Sequence, residues 1–154
     1  LAGDYFKPED REPHEQSLAA YALAERTILT GRIEPDRMAD YLQLFDILVF
    51  PSLFSEGCPR TLLEGMALGK AVIGARSGAI PEVISDRENG LLVNPGSSEE
   101  LGEAIAELAS SPALRARLGE QAVKTAVAMN GEREREEWLE VYRSARGCAE
   151  VKQT

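Results

Sequence analysis

The 154-residue chain has little histidine, little cysteine and a shortage of basic residues. The single His14 excludes a histidine-rich metal site, and Cys58 and Cys148 support neither a disulfide framework nor metal-ligand spacing. Seventeen Lys and Arg residues against 26 Asp and Glu give a net charge of −9. This charge repels phosphate backbones and anionic headgroups, so no nucleic acid and no membrane surface is expected as a partner.

Long apolar segments are missing as well. No run approaches the roughly 20 residues of a membrane span, and the sequence does not begin with a basic and then apolar signal peptide. Together with the few cysteines, this favours a cytoplasmic protein. The hydrophobic residues, 44% of the chain, occur instead in short runs and suffice for the core of one ordinary domain.

These short runs predict strands that alternate with helices. Apolar runs predict strands at 47–50, 71–74 and 90–93 and a weaker one at 27–31. Helical spacing predicts helices at 35–45, 60–68, 101–108, 112–130 and 132–146. Residues 97–100 have the form of a capping box. The alternation predicts an α/β fold, a mostly parallel sheet flanked by helices.

In such sheets, ligands bind beyond the carboxyl ends of the strands, where loops lead into helices. The segments 51–60 and 75–82 occupy such positions. In the first, Glu56 and Glu64 are eight residues apart, and Glu64 falls about one turn inside the predicted helix. The start of that helix predicts a diphosphate-binding site made of the free backbone amides of Gly57, Cys58, Thr61 and Leu62.

Glu64 stands in an apolar part of the sequence, beside Leu63 and Met66. A carboxylate there needs specific hydrogen bonds, and the vicinal hydroxyls of a ribose would supply them. The alternative is an ion pair with Arg60, although Arg before Glu at this spacing is the poorer orientation. The spacing alone leaves both interpretations open.

Residues 56–70 read EGCPRTLLEGMALGK and resemble the E-x7-E signature of the family 4 (group 1) retaining glycosyltransferases. Further segments are similar in the same order: DILVFPS at 46–52, KAVI at 70–73, SGAIPEVI at 77–84 and NGLLV at 89–93. The resemblance extends from about Leu1 to Tyr142. Cys58 stands where an aromatic residue is common in the family, and Gly65 stands where alanine is usual.

The resemblance implies a GT-B enzyme, in which two Rossmann-like domains face each other and the C-terminal domain holds the nucleotide-diphosphate sugar. It implies that Glu64 binds the donor ribose and that Glu56, the catalytic candidate, positions the transferred sugar. The other implied donor contacts are Gly57, Cys58, Thr61 and Leu62 at the diphosphate, Arg32 and Ile33 at the base, and Gly78 near the sugar. Neither a metal nor a further cofactor is implied.

Members of that family are more than twice as long as this chain. Residues 1–154 are therefore predicted to form one partial C-terminal domain, truncated at its N-terminal side, with an α/β core at 1–130 and a C-terminal helix and tail at 131–154. The acceptor domain would be missing, so the parent protein would be a hexosyltransferase and this chain alone inactive. A non-catalytic nucleotide-sugar-binding module and a GT-B-like nucleotide-sugar epimerase are the alternatives.

The same truncation would remove the strands that normally separate residues 27–31 from the strand at 47–50. Unpaired strand edges are a template for association. We therefore expect 27–31 to pair directly with 47–50, and a homodimer through an exposed sheet edge is the alternative.

Overall fold

The computed structural model describes residues 11–54 and 57–129 and, further on, residues 131, 135, 139, 140 and 143. The chain divides between Tyr41 and Leu42 into two compact units. The first contains α1 (Arg11–Ala20) and 3-10 turns at Ala24–Arg26 and Pro35–Arg37, and α2 (Met38–Gln43) lies across the division. The second contains β1 (Ile47–Phe50), α3 (Arg60–Ala67), β2 (Ala71–Ala75), α4 (Ile80–Val83), β3 (Leu91–Val93), α5 (Ser98–Ser110) and α6 (Pro112–Ala128).

The three strands form a parallel sheet in the order β1-β2-β3. Ile47 lies opposite Ala71, and Ile73 lies opposite Leu91. All five residues of the central strand β2 are buried, as expected for a parallel strand covered on both faces. The predicted α/β fold, with a parallel sheet flanked by helices, is confirmed.

Side chains alternate between the two faces of this sheet. One face carries the main buried cluster, made of Ala71, Ile73, Leu91 and Val93 on the strands and Ala104, Leu108 and Leu118 on α5 and α6. The other face lies against α3 and α4, where Leu62, Met66 and Ile80 are fully buried. The core therefore fixes the orientation of α3, the helix that carries Glu64.

Gly65 allows α3 to lie close to β1. A Cβ atom at this buried position would overlap Cδ1 of Leu48. Glycine inside a helix costs about 1 kcal/mol relative to alanine. An alanine here would require the end of the Leu48 side chain to move, so glycine suits the close approach of α3 and β1.

The end of α3 is fixed by Gly69 and by α6. Gly69 has a positive φ of 69°, and the amides of Gly69 and Lys70 donate to the carbonyls of Met66 and Gly65, at 3.0 Å each. This is the Schellman arrangement that ends a helix, and it confirms the end of the helix predicted at 60–68. Against this turn lies Gly119 of α6, where a Cβ atom would overlap the carbonyl oxygen of Gly69.

Most predicted elements of the second unit are confirmed, with one change at the start of α5. The Ser97 hydroxyl accepts from the Glu100 amide at 3.2 Å, as a capping box requires. The Glu100 carboxylate accepts from the amide and the side chain of Asn94, at 2.7 and 2.8 Å. In a full capping box, the Glu100 carboxylate would also accept from the Ser97 amide. Here it accepts instead from Asn94, three residues before Ser97.

The predicted strand at 27–31 is not formed as a regular strand, and its predicted pairing with β1 stays a prediction. Residues 27–30 belong to no strand, although the backbone of Thr27 is extended and Gly31 forms an isolated bridge. The sheet of the described residues consists of β1, β2 and β3. A strand of a parallel sheet is buried on both faces, whereas the Ile28 side chain is 78% exposed. Helices α1 and α4, by contrast, were not predicted, and α4 begins within the segment 75–82 that the sequence predicts as a connection. The helix predicted at 35–45 is a 3-10 turn followed by α2. The helix predicted at 132–146 lies mainly outside the described residues.

Candidate functional site

The carboxyl ends of β1 and β2 lead into the two segments that the sequence selected. Residues 51–59 connect β1 to α3, and residues 76–79 connect β2 to α4. Parallel neighbouring strands bring both connections to one edge of the sheet. Glu56 lies outside the described residues, so its predicted role stays a prediction.

The N-terminus of α3 offers backbone amides, although fewer than predicted. Among the described residues, none accepts a hydrogen bond from the amides of Gly57, Cys58 or Thr61. The Leu62 amide donates to the carbonyl oxygen of Pro59 at 2.9 Å, so the prediction that this amide is free is wrong. The first turn of the helix is tightened by this bond, which is a common way to satisfy a terminal amide.

Glu64 is partly accessible and has a loose partner. Its side chain is 40% exposed, and Oε1 lies 3.8 Å from Nη2 of Arg60. The buried side chains of this helix are those of Leu62 and Met66, which point to the core and leave the carboxylate at its rim. The ion pair that the sequence left open as an alternative is present, and the exposed part of the carboxylate can still accept further hydrogen bonds.

The pKa of Cys58, at the start of α3, depends on burial and also on a carboxylate of α4. The thiol is partly buried, and its Sγ lies 3.8 Å from the Pro59 carbonyl oxygen. Burial raises the pKa of Cys58, and the nearby carboxylate of Glu82 in α4 raises this pKa further. Both effects favour the protonated thiol over the thiolate.

The segment that contains Gly78 is anchored at its base. Gly78 has a positive φ of 56°, a conformation that suits glycine. Before it, the Arg76 amide donates to Val93 at 2.8 Å, and the Arg76 guanidinium donates to the Asp86 carboxylate at 2.8 Å. Asp86 also accepts from the Leu92 amide at 2.9 Å. These bonds fix the start of the segment to β3.

Asn89 is a supporting residue that sequence reasoning did not assign to the site. This buried side chain donates to the Val83 carbonyl at 3.0 Å and to the Thr125 hydroxyl at 2.9 Å, and it accepts from the Ser85 amide at 2.8 Å. It thereby ties the end of α4 to α6. The signal in the sequence was a polar residue directly before the apolar run 90–93.

Arg32 and Ile33 belong to the first unit, and the structure does not place them relative to α3. Arg32 Nε lies 3.6 Å from Glu34 Oε1, and both side chains are largely exposed. Their predicted contact with the base stays a prediction.

An apolar pocket of about 170 Å³ lies at the same sheet edge. It is lined mainly by Pro51, Leu53, Ala75, Val93 and Leu101. An apolar lining does not suit a diphosphate, which needs hydrogen-bond donors. The amides at the start of α3 are therefore the better position for a phosphate group.

In the part of the chain that the structure describes, no three His, Cys, Asp or Glu side chains come together as metal ligands. Within the same residues, no helix is both long and apolar enough to cross a membrane.

A parallel α/β sheet whose strands lead at their carboxyl ends into helix N-termini is an arrangement typical of nucleotide-binding folds. Residues 1–125 match the model of the family described as glycosyl transferases group 1. The chain belongs to this family.

Relatives and solved structures agree with this assignment. The chain is 40% identical over 92 residues to the uncharacterized glycosyltransferase MJ1178 of Methanocaldococcus jannaschii. The aligned region covers 60% of this chain and 26% of that protein. It is similar to sucrose-phosphate synthase from Thermosynechococcus elongatus, with a TM-score of 0.85 and 27% identity. That match covers 96% of this chain and 38% of the synthase chain. The structure of Anabaena Alr3699/HepE in complex with UDP-glucose is also similar, with a TM-score of 0.76 and 26% identity. That match covers 82% of this chain and 35% of the HepE chain.

The chain spans only a part of its relatives. Its matches cover 26%, 29% and 28% of the length of the first three curated ones.

Proposed function

We propose that this chain is the donor-binding part of a retaining glycosyltransferase that transfers a hexose from a nucleotide-diphosphate sugar to an acceptor. The observation that supports this most strongly is the position of Glu64, a partly exposed carboxylate one turn inside α3. The helix starts at the carboxyl edge of the sheet, and the Gly78 segment enters from the neighbouring strand. A relative of the same fold has been solved with UDP-glucose.

The diphosphate binds at the start of α3 in this proposal. The amides of Gly57, Cys58 and Thr61 have no acceptor among the described residues, and the positive end of the helix dipole favours an anion. When the bond between the sugar and the diphosphate breaks, negative charge develops on the leaving group. Preorganised amides stabilise that charge, so no metal ion is needed.

Glu64 recognises the nucleoside part of the donor. Its two carboxylate oxygens can accept one hydrogen bond from each of the two vicinal ribose hydroxyls. Glu56, eight residues earlier in the sequence, positions the sugar that is transferred. The acceptor is bound by a further domain of the whole enzyme, so the chain alone binds donor without useful turnover.

Titration calorimetry of the purified chain with UDP-glucose, GDP-mannose and ADP-glucose tests this function. One of the three is expected to bind with a dissociation constant on the order of 0.1–1 mM, because no opposing domain closes over the ligand. Glu64→Gln is expected to weaken that binding by about 1–3 kcal/mol, the value of a hydrogen bond to a charged group.

The matched control is Glu120→Gln, which removes the same charge from an exposed position on α6 and should leave binding unchanged. Addition of EDTA should also leave the affinity unchanged. The proposal is wrong if none of the three donors binds, or if Glu64→Gln binds as tightly as the wild-type chain.

A further inference from the structure

Arg60 stands at an unfavourable place for a cation. It is the first residue of α3, where the helix dipole is positive, and the first turn of this helix contains no acidic residue. Its side chain is 90% exposed and so gains little from packing. A residue that lowers helix stability at its own position is a candidate for a functional role.

Among the described residues, Arg60 has one ion pair, and that pair is weak. The distance of 3.8 Å between Nη2 and Glu64 Oε1 is too long for a hydrogen bond, and the Arg60 side chain is almost fully in solvent. Exposed pairs of this kind contribute little, and Arg before Glu at this spacing is the poorer orientation. The pair can therefore be exchanged for a better partner at small cost.

A bound diphosphate would be that partner. Arg60 is the only basic residue between positions 46 and 69, and the segment also carries carboxylates at Glu56 and Glu64. The next cation at this edge, Arg76, is already bonded to Asp86 at 2.8 Å. Side chains of a helix tilt toward its N-terminus, so a guanidinium at the first position can reach an anion bound at the amides. Its planar donor pairs match phosphate oxygens well.

We infer that Arg60 is a donor-binding residue whose guanidinium leaves Glu64 for the diphosphate when a nucleotide-sugar binds. This inference rests on the proposed function and adds a second effect to it. The exchange neutralises part of the diphosphate charge, and it also releases the Glu64 carboxylate for the ribose hydroxyls. One ion pair of the free protein is thus replaced by two contacts with the ligand.

The test compares a nucleoside diphosphate with its nucleoside. Wild-type chain is titrated with UDP, GDP and ADP by calorimetry, and the one that binds is then compared with its own nucleoside by NMR titration. Arg60→Gln is expected to weaken binding of the diphosphate roughly tenfold. Binding of the nucleoside should stay the same or become slightly tighter, because Glu64 has lost its competing partner. Arg60→Lys should retain part of the affinity, because the charge remains and the planar donor pairs are lost. Lys124→Gln on α6 removes an equal charge elsewhere and should have no effect.

Two results would overturn the assignment of Arg60. One is an Arg60→Gln chain that binds the diphosphate like wild type, and the other is a proportional loss of diphosphate and nucleoside. If the wild-type chain binds none of UDP, GDP and ADP, both the proposed function and the assignment of Arg60 are wrong. This result is distinct from the two above, in which the wild-type chain binds the diphosphate.

Discussion

Cys58 lies in the connection between β1 and α3, Glu82 lies in α4, and the effect of the carboxylate on the thiol can be measured directly. Burial raises the pKa of Cys58, and the Glu82 carboxylate raises it further. The start of a helix has the opposite effect, since its positive end stabilises a thiolate. We therefore expect burial and the neighbouring carboxylate to outweigh the helix at this position.

The rate of thiol reaction with an aromatic disulfide reagent reports this pKa, because the thiolate is the reactive form. In a Cys148→Ser background, the rate at Cys58 should rise with a midpoint above about pH 8.5, the ordinary thiol value. Glu82→Gln should move the midpoint down, though only in part, because burial is the larger cause. Glu88→Gln, which removes an exposed carboxylate elsewhere, should not move it. A midpoint at or below the ordinary value would mean that the helix dipole dominates.

Two features of single residues could not be predicted from the sequence. The interval between Arg60 and Glu64 suits both an ion pair and a free carboxylate, so only coordinates could show the 3.8 Å contact. The Leu62 amide was counted as free because helix starts leave such groups unpaired. Whether the carbonyl of Pro59 accepts from it depends on a turn geometry that the sequence does not specify.

At the scale of elements, α6 packs against the end of α3, the helix that carries Glu64. Gly119 of α6 meets the backbone of Gly69, the residue that ends α3. Backbone atoms cannot rotate away as a side chain can. The position of α3, and with it the position of Glu64, therefore depends on the absence of a side chain at residue 119.

Gly119→Ala is expected to lower the free energy of unfolding by roughly 1–3 kcal/mol, the usual cost of overpacking, despite the better helix propensity of alanine. Urea denaturation measures the change. Gly102→Ala in α5 is the matched control, because no atom lies within 4 Å of the added Cβ. There, alanine should stabilise by up to about 1 kcal/mol. Equal effects of the two substitutions would contradict the close contact between α6 and Gly69.

The elements that sequence reasoning predicted correctly share one physical property. β1, β2 and β3 and the helices α3, α5 and α6 all bury apolar side chains in one core, and burial produces the periodic pattern that a sequence displays. Helix α1 buries none of the side chains that the structure describes, so its sequence has no apolar face to detect. At 27–30, two apolar residues between threonines look like a strand, and only tertiary contacts distinguish a strand from a connecting segment.

At the scale of the whole molecule, the buried residues are distributed very unevenly. Every buried residue that the structure describes lies between Leu42 and Ala122, and none of the side chains described in the first unit is buried. Local stability follows buried contacts, so the two parts of the chain should open with different free energies. This difference is independent of any ligand.

Hydrogen–deuterium exchange followed by mass spectrometry measures that difference. Backbone amides of β2 should exchange most slowly, because this strand is buried in all five residues and paired on both sides. Amides of residues 11–41 should exchange far earlier. Peptides of α5 and α6 provide the internal comparison, since they are helical and packed on the same core. The decisive peptide is 27–31: it should exchange as early as the rest of residues 11–41, and protection as strong as that of β2 would contradict this expectation.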